Sequence, residues 1–284
     1  MDKEIINYPQ INGITLVENN IPQVFPSHWH NAAEFVLVLK DGCRYKIGDT
    51  LYKPTAGDIL LVWPRELHEL VKIPHGSIVF IQFSSHLIEN NTDLASATRF
   101  LNECHLISSK KNAELTKKIR RNFEKISDIY KKKNLFSETK CKLLVYEILV
   151  LIGEYAMKEF RQSLGEEHFS SRSWNYIRAA CSYIAEHSAE NITQTEVAEK
   201  VGLSPFYFSK LFNEYTKMAF PSYLSSIRVQ NAINLLADEN RSITECAYES
   251  GFQSTTAFNK LFHELTGCNP RDYRKLHRHS SNHA

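Results

Sequence analysis

Two hydrophobic periodicities divide the chain. Residues 11–83 carry short apolar runs cut by turn residues, whereas from Asp93 onward apolar positions recur every three or four residues. Glu34–Leu39 ends in Lys40-Asp41-Gly42, Arg44–Ile47 ends in Gly48-Asp49, and Leu51–Lys53 ends in Pro54. Gly57-Asp58 opens Ile59–Trp63 before Pro64, and Val71–Ile73 and Ile78–Phe83 follow. Short β-branched and aromatic runs bounded by Gly, Asp and Pro predict an antiparallel sandwich or barrel.

The helical region opens with Glu114–Lys131, where Leu115, Ile119, Phe123, Ile126 and Tyr130 share a stripe opposite lysines. That Lys-rich face is read as solvated surface rather than a nucleic-acid contact. Ser137 is placed to cap a longer helix, Ser137–Phe160. Its apolar surface (Cys141, Leu144, Val145, Ile148, Leu149, Ile152, Tyr155, Ala156 and Phe160) is wider than one stripe. Two readings account for the width: burial within one subunit, or pairing with helix 137–160 of a second copy in a homodimer. Ser163–Ser171 is polar and aperiodic and reads as a linker. Further helices are predicted at Trp174–His187, Thr195–Val201, Pro205–Thr216, Pro221–Ala237, Ile243–Glu249, Thr255–Leu265 and Arg271–His277.

The C-terminal third repeats itself. Ala198-Glu199-Lys200-Val201-Gly202-Leu203 answers Ala247-Tyr248-Glu249-Ser250-Gly251-Phe252, and Phe208–Phe212 answers Phe258–Phe262. Thr216 matches Thr266, and Tyr223 matches Tyr273. In each copy a small residue, Ala198 or Ala247, allows close helix approach, and Gly202 or Gly251 takes the tight turn. Ser204 and Ser254 are placed to cap a second helix, with Pro205 at its first turn in copy one. Phe208, Leu211 and Phe212 point inward, as do Phe258, Leu261 and Phe262. Phe206, Tyr207, Ser209, Lys210 and Asn213 are left facing outward, and in the second copy Thr255, Thr256, Asn259, Lys260 and His263. These side chains are placed to reach base edges or phosphates in a major groove. A connector over Ala219–Asp238 would span about 30 Å as one helix, close to the spacing of about 34 Å between successive major grooves.

The stretch from Ile192-Thr193 through Ala198, Gly202, Ser204, Phe208, Leu211-Phe212, Thr216 and Tyr223-Leu224 resembles the first half of an AraC-type DNA-binding domain. Arg228, Ala232, Leu235-Leu236, Ile243, Ala247, Gly251-Phe252, Phe258, Lys260, Phe262, Thr266-Gly267, Pro270 and Tyr273-Arg274 resemble its second half. The resemblance covers residues 175–277 and implies a transcription factor, with activation the favoured direction and RNA polymerase a further partner. The positions matching base-contacting ones are Phe206, Ser209, Lys210, Thr255, Thr256 and Lys260. Lys210 and Lys260 stand where Arg is common in the family, which shifts their expected role toward phosphate. Lys217 replaces a usual turn glycine.

Charge complicates that reading. Net charge is only +2 over 284 residues. Residues 1–109 hold 8 Lys and Arg against 12 Asp and Glu, and residues 110–142 hold 12 against 4. The repeated third, residues 172–284, is nearly neutral with 12 against 11. The nucleic-acid reading therefore rests on motif and local charge placement, not on bulk charge. The six cysteines are scattered without a C-x-x-C pair, which fits a reducing, cytoplasmic setting. No secretory signal and no membrane-spanning run are expected.

In the N-terminal half, His28-Trp29-His30, Glu34, Gly42, Gly57-Asp58, Pro64 and His68 resemble the cupin pattern. On a strand His28 and His30 share a face. The favoured reading is a metal-free pocket for a small-molecule effector, with no cofactor. His28, His30, Glu34 and His68 serve as polar anchors and Trp29, Tyr45, Tyr52 and Trp63 as aromatic walls. The resemblance makes a sugar one candidate. The alternative is a three-nitrogen, one-oxygen metal site on the same four anchors.

The expected fold is α+β with two domains. Residues 1–163 form a cupin-like antiparallel barrel or sandwich with trailing helices, for sensing and dimerisation (strands in 11–83, helices in 93–162). Residues 164–172 form a linker, and residues 173–284 an all-α domain with two helix-turn-helix units. The expected function is a cytoplasmic, effector-controlled DNA-binding regulator without catalytic residues. Its rival is a metal-dependent cupin enzyme fused to a DNA-binding module. A constitutive architectural DNA-binding protein is a third reading.

Overall fold

The computed structural model describes residues 2–4, 6, 11, 13–132, 134–164 and 171–281. The chain forms two compact units: Met1–Leu87 with Phe100–Gly165, and Ile88–Arg99 with Glu166–Ala284. The predicted linker falls mostly on residues 165–170, outside the described residues. Its periodicity gave no sign that Ile88–Arg99 would leave the first unit and join the second.

The first unit contains β1 (Asp2–Lys3), β2 (Ile14–Glu18), β3 (Gln23–Trp29), β4 (Ala32–Val38), β5 (Arg44–Ile47), β6 (Thr50–Tyr52), β7 (Ile59–Val62), β8 (His68–Ile73) and β9 (Ile78–Ser84). The short helices α1 (His86–Glu89) and α2 (Thr92–Asn102) follow, then β10 (Leu106–Ile107), α3 (Ala113–Lys132) and α4 (Ser137–Leu164). Two five-stranded sheets have the orders β1-β3-β8-β5-β6 and β10-β7-β4-β9-β2. Every pairing is antiparallel except β1 with β3. Tyr45, Ile47, Leu70 and Ile73 of one sheet and Val36, Val38, Leu60, Val62 and Ile78 of the other belong to one buried cluster. Side chains from two sheets that share one core make a sandwich.

All seven residues of β4 are buried. That explains why its sequence reads as a nearly continuous apolar run rather than an alternation. Over the second sheet, Tyr130 of α3 shares a hydrogen bond of 3.3 Å with Thr15, and Lys131 pairs with Glu18 at 2.8 Å. In α4, Cys141, Val145, Ile148, Leu149 and Ile152 are fully buried, and the helix packs against α3. A second, narrower face stays open on α4: Leu143 is 62% exposed and Val150 is 51% exposed, seven residues apart, while the exposed Phe136 lies in the turn before the helix at φ 67°.

The second unit contains α5 (Ser171–His187), α6 (Gln194–Lys200), α7 (Pro205–Thr216), α8 (Phe220–Leu236), α9 (Ile243–Glu249), α10 (Thr255–Thr266) and α11 (Pro270–Ser281). The connector α8 is 17 residues long, or about 26 Å, shorter than the sequence suggested. Ala237 accepts the end of the helix, and a turn at Asp238–Asn240 begins where Asp238 Oδ1 accepts the Asn240 N–H at 3.0 Å. The C-terminal half of α8 (Val229, Ala232, Leu236) closes a core with Cys246, Ala247, Phe252, Phe258 and Phe262. Its N-terminal half (Phe220, Tyr223, Leu224, Ile227) is buried beside the first repeat.

Candidate nucleic-acid interface and ligand pocket

Each repeat is locked by the same local devices. Thr193 and Glu196 form a capping box on α6, and Ser242 and Glu245 form its counterpart on α9. Both exchanges satisfy amides that the helix itself leaves open. Ser204 Oγ accepts the Tyr207 N–H, and Ser254 Oγ accepts the Ala257 N–H, so α7 and α10 start at equivalent serines. At the far ends Thr216 donates to the Phe212 carbonyl at 2.7 Å, and Thr266 donates to that of Phe262 at 2.7 Å. Phe212 meets Tyr223 edge-on at 5.3 Å, and Phe262 meets Tyr273 edge-on at 5.4 Å.

With the apolar faces of α7 and α10 turned inward, Phe208, Phe212, Phe258 and Phe262 are fully buried. The outward positions are open: Phe206 (84% exposed), Tyr207, Ser209, Lys210 and Asn213 on α7, and Thr256, Asn259, Lys260 and His263 on α10. Thr255 is half-buried. A phenylalanine as exposed as Phe206 is not serving the core of its own unit.

The residues expected to contact an effector come from both sheets. His28 stands opposite His68 across the β3–β8 pairing, and Glu34 stands opposite Gln82 across β4–β9. His28, His30, Glu34 and His68 are all buried. The His28 and His68 rings lie 4.1 Å apart, and those of His30 and His68 4.8 Å apart. Each imidazole directs Nδ1 to a backbone carbonyl at 2.9 Å: His28 to Pro26, His30 to Ala32 and His68 to Glu66. A carbonyl only accepts, so Nδ1 carries the proton in all three rings.

Gln82 Nε2 donates to Glu34 Oε2 at 3.0 Å, and His30 Nε2 lies 3.8 Å from that oxygen. Burial opposes the Glu34 charge, but His30, His68 and Gln82 outweigh it and hold the carboxyl below its usual pKa. Burial pushes His68 below the usual imidazole value despite the pull of Glu34. For His28 burial is outweighed by the Glu4 carboxylate, 3.3 Å from its Nε2, and by the Pro26 carbonyl, so its pKa is raised.

The proposed aromatic walls separate. Tyr45 is fully buried, with its hydroxyl unpartnered and its pKa raised far by burial and by Glu34. Trp29 is half-buried, one residue out of phase with His28 and His30. Tyr52 stacks loosely with His105 at 6.0 Å, and His105 in turn pairs with Glu66 at 2.9 Å. Trp63 is a core residue: it meets Phe35 edge-on, and its indole N–H donates to the Cys104 carbonyl at 2.9 Å. Sequence reasoning missed Gln82 and Glu4. The alternation of β9 could have flagged Gln82, the one amide in an otherwise apolar run. Nothing local could have flagged Glu4.

Comparison with known proteins agrees with this layout. Residues 12–149 match the family model of the AraC-like ligand binding domain. Residues 197–276 match that of a helix-turn-helix domain. The melibiose operon regulatory protein of Escherichia coli is 24% identical over 270 residues, covering 92% of this chain and 87% of the relative. An uncharacterized HTH-type transcriptional regulator of Staphylococcus aureus is 26% identical over 222 residues, 77% of this chain. The match spans only 28% of that relative's length. Among solved structures, ToxT from Vibrio cholerae aligns over 93% of this chain and 96% of its own, with 14% identity and a TM-score of 0.45. The DNA-binding domain of AdpA, solved with a target DNA, aligns over 37% of this chain and 95% of its own, with 27% identity and a TM-score of 0.35.

Proposed function

Because the chain belongs to the AraC family of DNA-binding transcriptional regulators with an N-terminal ligand-binding domain, we propose that it is an effector-controlled activator acting in the cytoplasm, not an enzyme. The observation that carries this reading is the pair of matched recognition helices, α7 and α10, joined by α8 and each with its polar face open. Both enter the major groove of one operator. Ser209, Asn213, Thr255, Thr256, Asn259 and His263 meet base edges or sugars, Lys210 and Lys260 meet phosphates, and Phe206 and Tyr207 pack against the backbone or thymine methyls.

Two copies associate through the open face of α4 at Leu143 and Val150, with Phe136 in the turn before it. A seven-residue spacing of exposed apolar side chains suits a helix paired with its own copy. This joins the two sequence readings of helix 137–160: one face is buried within the unit, and the other is left for the partner. Binding of a small polar effector at His28, His30, Glu34, Tyr45, His68 and Gln82 shifts the population of the DNA-competent dimer, which then recruits RNA polymerase. A sugar is the first effector to try, since the E. coli relative is named for a sugar operon.

Occupancy of the tagged chain across the genome gives the operator. On that fragment log affinity falls linearly with log salt. Lys210→Ala and Lys260→Ala each reduce that slope by about 1. Unchanged affinity for both variants across the salt series overturns the assignment of α7 and α10 to the groove.

A further inference from the structure

The basic face of α3 takes no part in the groove, dimer or effector contacts. At 3.6 residues per turn, Lys117, Lys118, Arg121, Lys125 and Lys132 fall within about 100° of the helix circumference, opposite the buried stripe of Ile119, Phe123, Ile126 and Tyr130. All five are exposed. The other two cations of α3 are neutralised at the margins of this sector: Arg120 pairs with Glu124 at 3.0 Å and Lys131 with Glu18 at 2.8 Å. Among the described residues, none of the five makes an ion pair. Lys117 and Arg121 stand four residues apart, as do Arg121 and Lys125, a spacing at which like charges repel. Glu114 and Asp128 are the only carboxylates of α3 in the sector, two against five cations. The helical unit is poor in such charge. Residues 172–284 hold 12 Lys and Arg against 11 Asp and Glu, and the outward faces of α7 and α10 offer only Lys210 and Lys260. The surplus cations of the chain thus lie outside the unit whose helices are shaped for a groove.

We propose that Lys117, Lys118, Arg121, Lys125 and Lys132 bind the phosphate backbone of duplex DNA flanking the operator, a second contact that is independent of sequence. The strip from Lys117 to Lys132 is about 22 Å long, and a duplex presents one negative charge per about 1.7 Å of its axis. Four of the five side chains are lysines, whose ammonium groups on flexible stems meet phosphates as point charges without a fixed register. Each meeting releases condensed counterions from the duplex, and the mutual repulsion of the five cations falls as phosphates take up their charge. Five weak contacts suffice because the helical unit already holds the chain on the same DNA, which makes the second contact intramolecular. The proposal rests on α7 and α10 being groove-binding helices, and it replaces the solvated-surface reading of the Lys-rich face.

The test uses the full chain and two fragments carrying the operator. One spans only the two adjacent grooves, about 20 base pairs, and the other extends it by about two helical turns on each side. Affinity is measured across a salt series. For the wild-type chain the log–log slope is expected to be steeper on the extended fragment by about 3–4 per chain bound. Between about 50 and 200 mM salt that difference amounts to a loss roughly 100-fold larger than on the minimal fragment. Changing all five residues to Gln brings the extended-fragment slope down to the minimal one and leaves minimal-fragment binding unchanged. Should that variant melt early, Arg121→Gln and Lys125→Gln singly each remove about 0.9 from the extended-fragment slope. Equal slopes for wild type and these variants on the extended fragment overturn the proposal. So does an unchanged DNA slope accompanied by loss of sedimentation with phosphatidylglycerol vesicles, which would make a lipid surface the partner. Lys210→Ala and Lys260→Ala change the slope on both fragments alike, so failure of the groove assignment and failure of the flanking contact are read from different variants.

Discussion

The two helix-turn-helix units share caps, threonine staples and aromatic contacts, yet their turns are built to different tolerances. Gly202 and Gly251 both have positive φ, +73° and +94°. Around Gly202 an added Cβ meets nothing within 4 Å, so glycine is needed there only for its backbone. At Gly251 the same atom would lie 2.6 Å from the Ser188 carbonyl oxygen, 2.8 Å from Ala189 Cα and 2.9 Å from Arg228 Nε. That turn is pressed against the end of α5, where Arg228 also donates to the carbonyls of Ser188 at 2.8 Å and Glu190 at 2.7 Å. The C-terminal corners differ in the opposite sense. Gly267 takes the left-handed cap of α10 at φ 82°, whereas Lys217 takes that of α7 at φ 55°. A duplicated motif therefore keeps its local code while the packing around each copy decides which glycine is indispensable.

The first helix-turn-helix repeat carries an attachment from outside the duplicated region. The segment Ile88–Arg99 belongs with it: the Tyr223 hydroxyl donates to the Glu89 carbonyl at 3.1 Å, Arg99 pairs with Glu214, and the Arg99 guanidinium sits 5.3 Å over the Tyr215 ring. Tyr273, the counterpart of Tyr223, meets Phe262 in the same edge-on way.

The largest break in the symmetry is expected from Gly251→Ala, which combines backbone strain with overlap on main-chain atoms. We expect a loss of about 3 kcal/mol in chemical denaturation; a loss under 1 kcal/mol would sink the close-packing account. Gly202→Ala meets only the backbone penalty, about 1–2 kcal/mol. Gly202→Asn should recover most of it, while Gly251→Asn should recover nothing. Tyr223→Phe removes the buried hydrogen bond to the Glu89 carbonyl and should cost about 1 kcal/mol in the same melt. The smallest effect is a gain. Lys217→Gly relieves a left-handed lysine at some cost in unfolded-state entropy, for a net of about 0.5–1 kcal/mol more stability. A loss there would show that the Lys217 side chain makes up for its backbone.

Much of this was legible in the sequence because it is local. Ser204 and Ser254 cap helices whose amides lie three residues away. The repeat of Ala198, Gly202, Phe208 and Phe212 at Ala247, Gly251, Phe258 and Phe262 gave both the fold and which faces of α7 and α10 stay exposed. That His28 and His30 share a face was legible too, since alternation along a strand places them there. Their conversion into a nitrogen cluster was not. It depends on β3 pairing with β8 about 40 residues on, which sets His28 against His68, and on a second sheet bringing Glu34 and Gln82. Trp63 looked like a pocket wall because an aromatic side chain signals burial but not the face it is buried on.

The chain's own order of residues thus determined its helices, strands, caps and duplicated reader, all governed by contacts within a few positions. Tertiary structure alone decided which glycine is pressed against its neighbours, that Ile88–Arg99 joins the helical unit, and that His28, His30 and His68 gather into one buried cluster. Those outcomes depend on surfaces distant in sequence meeting at fixed distance, and no periodicity along one segment records where its neighbour in space will stand.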